Sequence, residues 1–243
     1  MEELLRLPEE PEPSPALEFM RRREALLISY SVFVGNYREL TERLKLVENP
    51  HVAINLWTVK LDVEFEKVRD EVTRLLHNFL ASALSLLDHI KVHMEKLYEG
   101  SDLFAEYTSR RREHVFSTPV YRFVYDLRQY AIHNKLPLVG RIFSFHKTRG
   151  IRISYFLDVG ELKRSKKKRW SAEARQYMDT YGGQLPLRQL AMEYFPVMNE
   201  FYKWLRKREP EFNRENPNFL RQRWERIAKQ MRTTGPDYDK RGA

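Results

Sequence analysis

The feature that most limits what this chain can fold into is the run from Trp57 to Glu99, which contains neither glycine nor proline. Within it Leu61, Phe65, Val68, Val72, Leu75, Phe79, Ala83, Leu86, Ile90, Met94 and Leu97 recur every three or four positions. That period places them on one face of an α-helix. At 1.5 Å per residue such a helix spans ~60 Å, more than a compact domain usually needs. A bend, or a second molecule packed along it, is the expected consequence. A second stripe in the same helix is polar: Asn78, Ser82, Ser85 and His89. Small polar residues at this spacing allow close approach of another helix and hydrogen bonds across it, so the stripe reads as an interhelical seam, with part of a functional cleft as the alternative.

Shorter segments carry the same period. Ala16 to about Val47 is amphipathic through Leu26, Leu27, Tyr30, Val34, Tyr37, Leu40 and Leu44, and Asn49-Pro50 breaks it. Gly100 closes the long helix, and Ser101 or Asp102 is placed to cap the next, Asp102 to His114. Pro119 opens a helix to about Asn134. The period then changes to two. Val139 to Lys147, a turn at Thr148-Arg149-Gly150, and alternating Ile151, Ile153, Tyr155 and Leu157 predict one β-hairpin over 139–158. Further helices are expected from Ser171 to Tyr181, from Pro186 through Trp204, and from Pro217 to about Arg232. The fold class is mainly α: a helical bundle with long helices and one β-hairpin insertion. It is expected as one domain over 16–232, with C-terminal helices over 171–232, between a flexible acidic arm (1–15) and a polar tail (233–243).

Composition removes several chemistries. There is no cysteine, which excludes disulfides, thiolate zinc sites, iron–sulfur centres and cysteine nucleophiles. No G-x-S-x-G, Gly-rich phosphate loop or H-E-x-x-H occurs. His89 and His93 lie four apart, as a metal-chelating pair would. Lys91 and Lys96 stand beside them without a third ligand at matching spacing, so no metal or other cofactor is expected. No apolar run nears the ~18 residues of a membrane span. The start, MEELLRLPEEPEPSP, is acidic and proline-rich, unlike a secretory leader, so a cytoplasmic protein with no membrane partner is expected. A formal charge of +9 favours a polyanionic partner, RNA foremost. The cations cluster at Arg21-Arg22-Arg23, Arg110-Arg111-Arg112, Lys163-Arg164 and the run Lys166, Lys167, Lys168 and Arg169. Solvated surface is the plain alternative for any one of these runs.

One segment gathers groups suited to metal-free chemistry: FVYDLRQYAIHNKLP, Phe123 to Pro137. Arg128 keeps its charge and offers a planar fork of donors to phosphate. A histidine side chain can accept or donate a proton near neutral pH, and His133 supplies one here. Together they are the minimum equipment for cleaving RNA: the imidazole serves the 2′-hydroxyl or the leaving oxygen while the guanidinium stabilises charge at phosphorus. Five residues along an ideal helix turn about 140°, so pairing within one chain requires the helix end to unwind before Leu136-Pro137. The plain alternative pairs Arg128 with Asp126 or Glu106 and leaves His133 as a helix-end residue.

The segment resembles the HEPN superfamily, whose members carry an Arg, a following polar residue and a His in R-x4-6-H near a helix end. Here those positions are Arg128, Gln129 and His133. The resemblance extends to the preceding helix around RLLHNFLASALSLLDHIK, Arg74 to Lys91, and gives a HEPN-like core over about 57–137. It implies a metal-independent endoribonuclease of a toxin–antitoxin or defence system, acting as a homodimer with two motifs at one cleft, with an antitoxin or other protein as a further partner. In that reading Arg128 holds phosphate, His133 moves the proton and Gln129 positions one of them. Tyr130 and Asn134 lie near the same cleft, and Lys166, Lys167, Lys168 and Arg169 guide the substrate. The rival is a non-catalytic helical module that binds a protein partner or nucleotide.

Overall fold

The computed structural model describes residues 15–52, 63–133, 136–137, 139–146, 150–164 and 170–233. The expected arm (1–14), the start of the long helix (57–62), the hairpin turn at 147–149, Asn134, the basic run from Lys166 to Arg169 and the tail from 234 lie outside them. The described chain is mainly helical with a small antiparallel sheet. In order, it forms α1 (Pro15–Val47), α2 (Val63–Tyr98), α3 (Asp102–Arg110), a π-helical turn (Arg111–Phe116) and α4 (Pro119–His133). There follow β1 (Val139–His146), β2 (Gly150–Asp158), α5 (Val159–Arg164), α6 (Ala172–Asp179), β3 (Gln184–Pro186), α7 (Leu187–Glu215) and α8 (Phe219–Thr233).

The periodic apolar face of α2 is the spine of the core. Val68, Val72, Leu75, Phe79, Ala83, Leu86, Ile90, Met94 and Leu97 are all buried. The polar stripe beside them meets α1, where Ser29 Oγ lies 2.7 Å from His89 Nδ1. With Arg43 bound to Glu71 at 2.5 Å further along, the two helices run antiparallel. Helix α7 closes over this pair through aromatic rings. Tyr30 stacks on Tyr202 and Tyr37 on Phe195, each with centroids 3.9 Å apart, and Phe79 meets Tyr194 edge-on. Ring contacts of this kind add to plain area burial and fix how helices meet. At the turn into α3, Gly100 takes a φ of 80° and the Ser101 hydroxyl accepts the Phe104 N–H at 3.2 Å, the expected C-cap and N-cap.

The sheet differs from the expected lone hairpin. β1 and β2 pair antiparallel with Val139 opposite Leu157 and Phe143 opposite Ile153, and β3 adds to β2 with Leu185 opposite Leu157. Gly182 and Gly183, both at positive φ, turn the chain back onto β2 before Pro186 leads into α7. A three-residue strand is too short to display an alternating pattern, so nothing in its sequence distinguishes it from loop.

Near the start of α7 the Glu193 carboxylate accepts three hydrogen bonds, from Tyr177 Oη (2.6 Å), Tyr181 Oη (2.5 Å) and Gln189 Nε2 (2.6 Å). Burial pushes this carboxyl up, but the three donated bonds together hold it below the ordinary range. A depressed folded-state pKa contributes stability above the unfolded value and loses it as pH falls through the folded one. Glu193→Gln is therefore expected to lose stability at neutral pH, only about 0.5–1 kcal/mol once solvent screening at this half-buried position is allowed for. In urea titrations the gap from the parent chain should shrink below the ordinary carboxylate range; a gap constant across pH would contradict the charged-acceptor account.

Candidate functional site

Helix α4 is anchored along its apolar side. Phe123 packs against Trp170 and Tyr177, and the Asp126 carboxylate accepts the Ser171 N–H at 2.7 Å. This docking positions everything else that α4 carries. The helix stays regular to His133, so Arg128 and His133 sit about 140° apart around its axis. Among the described residues, no unwinding up to His133 brings them onto one face of a single chain.

Each motif residue has a distinct setting. Arg128 is half-buried, and its Nη1 is sealed from solvent without a hydrogen-bond partner among the described residues. Its alternative acidic partner Glu106 is taken by Arg208 through bonds of 2.9 and 3.0 Å, which hold the Glu106 carboxyl below its usual range. His133 is exposed in the last turn. Tyr130, expected at the cleft, is only 2% exposed and stacks on Trp170, which makes it part of the core. At seven positions from Phe123 it falls on the same docked face, which explains its burial. His89 and His93 are engaged separately, by Ser29 Oγ and by Glu209 Oε1, and among the described residues no group of three metal-capable side chains converges.

Gln129 opens onto a cleft of about 420 Å³ between α2, the π turn and α4. Tyr121, Tyr125 and Gln129 follow at intervals of four, and His133 continues that row one turn further. The cations facing the cleft are Lys91, Arg111 and Arg122, against one carboxylate, Asp88. Burial pushes the Tyr121 phenol up to about 12 against the pull of Arg111 and Arg122, so it stays neutral at physiological pH. The cleft side chains thus carry an excess of positive charge, three cations to one anion.

The π turn makes this cleft. Arg111 and Phe116 are five residues apart, the same separation as Arg128 and His133, yet the Arg111 guanidinium lies 4.3 Å from the Phe116 ring centroid. The i→i+5 hydrogen bonding of a π turn, seen at Ser117 N–H to Arg112 O (3.1 Å), brings residues of that spacing to one side. Arg122 fastens the turn by donating from Nε to the Phe116 carbonyl at 3.0 Å. Phe116 in turn stacks on Tyr121 at 5.0 Å, and Tyr121 leads to the exposed Tyr125 at 6.2 Å. In the sequence Arg111 stands out only as part of a charge run, and Lys91, Arg122 and Tyr125 carry no sign of a role in the site. A helix read as α up to His114 does not place them together; the i, i+4 spacing of Tyr121, Tyr125 and Gln129 is the one signal available.

No family model, no curated protein and no solved structure matches this chain.

Proposed function

We propose that the protein is an RNA-binding, metal-independent endoribonuclease of the HEPN kind, serving a toxin or defence system, with two copies completing each site. One observation carries this reading: a half-buried guanidinium with a nitrogen unpartnered among the described residues and an exposed imidazole occupy the last turns of one helix, beside a cleft rich in cations. Arg128 forks onto the non-bridging oxygens of the scissile phosphate. His133 takes the 2′-hydroxyl proton; the 2′-oxygen attacks phosphorus and the bond to the 5′-oxygen breaks. The leaving oxygen gains a proton, and the products are a 2′,3′-cyclic phosphate and a 5′-hydroxyl end. Because the two side chains diverge by about 140° on one helix, the Arg128 of one copy works with the His133 of the other. Gln129, beside Arg128 in sequence and on the face of His133, orients the imidazole or the phosphate.

The same divergence favours a second reading, a helical module that binds nucleic acid or a protein partner without cutting. Incubation of a mixed RNA pool with the purified chain and a chelator separates the two. Fragments ending in 2′,3′-cyclic phosphate, diminishing as salt rises and phosphate contacts weaken, are expected. Intact RNA, or cleavage that needs added metal, contradicts the nuclease reading.

A further inference from the structure

We infer that the cleft between α2, the π turn and α4 is a subsite for one nucleotide of single-stranded RNA, flanking the bond that is cut. This inference rests on the nuclease reading for its biological role, but its binding chemistry stands separately. Arg111 and Arg122 both approach the Phe116 ring, at 4.3 and 5.8 Å from its centroid, and among the described residues neither is ion-paired. Both are oriented before any ligand arrives, Arg111 by ring stacking and Arg122 by the Phe116 carbonyl, so a phosphate meets donors that need little reordering. Lys91 adds a third cation from the opposite wall, loosely held by Glu95 at 3.8 Å.

The aromatic row gives the second half of a nucleotide its place. Tyr125 is 41% exposed and ends the stack that begins at Phe116. A base laid on its ring extends the row and gains stacking energy whatever its identity. A duplex keeps its bases stacked on one another and presents only phosphate to a cleft of about 420 Å³, so the arrangement favours an unpaired strand. An acidic or phosphorylated peptide satisfies the cations but leaves Tyr125 unused. Along α4, Tyr125 and His133 are eight residues or about 12 Å apart on neighbouring faces, a separation that a single strand covers in a few nucleotides. The cleft therefore selects which strands present a phosphodiester to His133.

The test uses fluorescein-labelled oligouridine bound to the His133→Ala chain, which leaves the probe intact. Tyr125→Ala is expected to raise Kd about 10-fold with little change in salt dependence. Lys91→Ala raises Kd and lowers the slope of log Kd against log salt by about one. Both changes fall on exposed side chains; Arg122 also anchors the π turn, so these two variants, and not Arg122, decide the outcome. A duplex of the same length should bind at least several-fold more weakly. Unchanged Kd in both variants, equal binding of the duplex, or displacement of the probe by an acidic phosphopeptide overturns the inference. A chain whose binding responds as expected but whose native form never cuts RNA loses only the nuclease reading. Cleavage that persists unchanged after Tyr125→Ala and Lys91→Ala, with unaltered binding, retires only the subsite.

Discussion

His133→Ala and Arg128→Ala should each reduce metal-free RNA cleavage by at least about 100-fold, the lower end of what a positioned acid or base contributes. The two losses have different physical origins. His133 is exposed in the last turn of α4, so its removal leaves packing untouched and acts only on proton transfer. Arg128 is half-buried with Nη1 sealed from water. Its loss removes charge at phosphorus and also relieves an unsatisfied donor, so thermal stability should stay level or rise slightly while activity falls. Arg128→Lys should rescue little, because an ammonium lacks the planar fork. Gln129→Ala, with the side chain on the cleft wall, should fall between parent and His133→Ala. Initial rates on a single labelled RNA, with melting curves on the same preparations, check the series. Retained activity in either His133→Ala or Arg128→Ala contradicts the assignment.

The largest effect on stability is expected where α2 meets the far end of α7. Glu209 is almost wholly buried, and its Oε1 binds His93 Nε2 at 2.6 Å and accepts the Tyr98 hydroxyl at 3.0 Å. Asn213 Nδ2 donates to the same Tyr98 oxygen at 2.9 Å, and Arg23 approaches Glu209 Oε2 at 3.9 Å. Burial and the neighbouring carboxylate push the Tyr98 phenol well above its ordinary range, so it remains a donor throughout. Removing one member strands the others in a low-dielectric interior. His93→Leu and Glu209→Leu should each cost about 3–5 kcal/mol. For a chain of this size that corresponds to a Tm lower by roughly 10 °C. Replacing both together should cost much less than the sum, since neither leaves an orphaned partner. Additive losses in the double variant contradict a coupled buried network.

Much of this fold is legible in the sequence because its helices announce themselves by period. The α2 stripe, the proline-opened α4 and the glycine-stopped α2 end all follow from spacing and from residues with special backbone behaviour. The polar stripe of Asn78, Ser82, Ser85 and His89 is readable as one helical face, but not whether it closes: His89 meets Ser29, while all four residues line an open groove beside α1 and Ser85 and His89 stay exposed. β3 is not readable, since Gln184–Pro186 is too short to carry a pattern. For the site, residue types are visible but their directions are not. Arg128 and His133 share a spacing with Arg111 and Phe116, and only the backbone decides that the first pair diverges while the second meets. A π turn has no sequence signature among the propensities that distinguish helix from strand, so a whole wall of the cleft stays hidden. Tyr130 shows the reverse error: a polar tip on a motif helix suggests a ligand contact, whereas the docked face of α4 claims it for the core.

If Arg128 of one copy and His133 of another cut RNA together, mixing two inactive variants should restore cleavage. Arg128→Ala and His133→Ala chains, silent alone in the presence of a chelator, are combined in equal amounts and allowed to exchange. Half of the dimers are then mixed and each holds one intact composite site, so cleavage should return to about a quarter of the parent rate. No recovery from a mixture shown to exchange subunits contradicts the shared site, and a parent chain that leaves RNA whole contradicts the function itself.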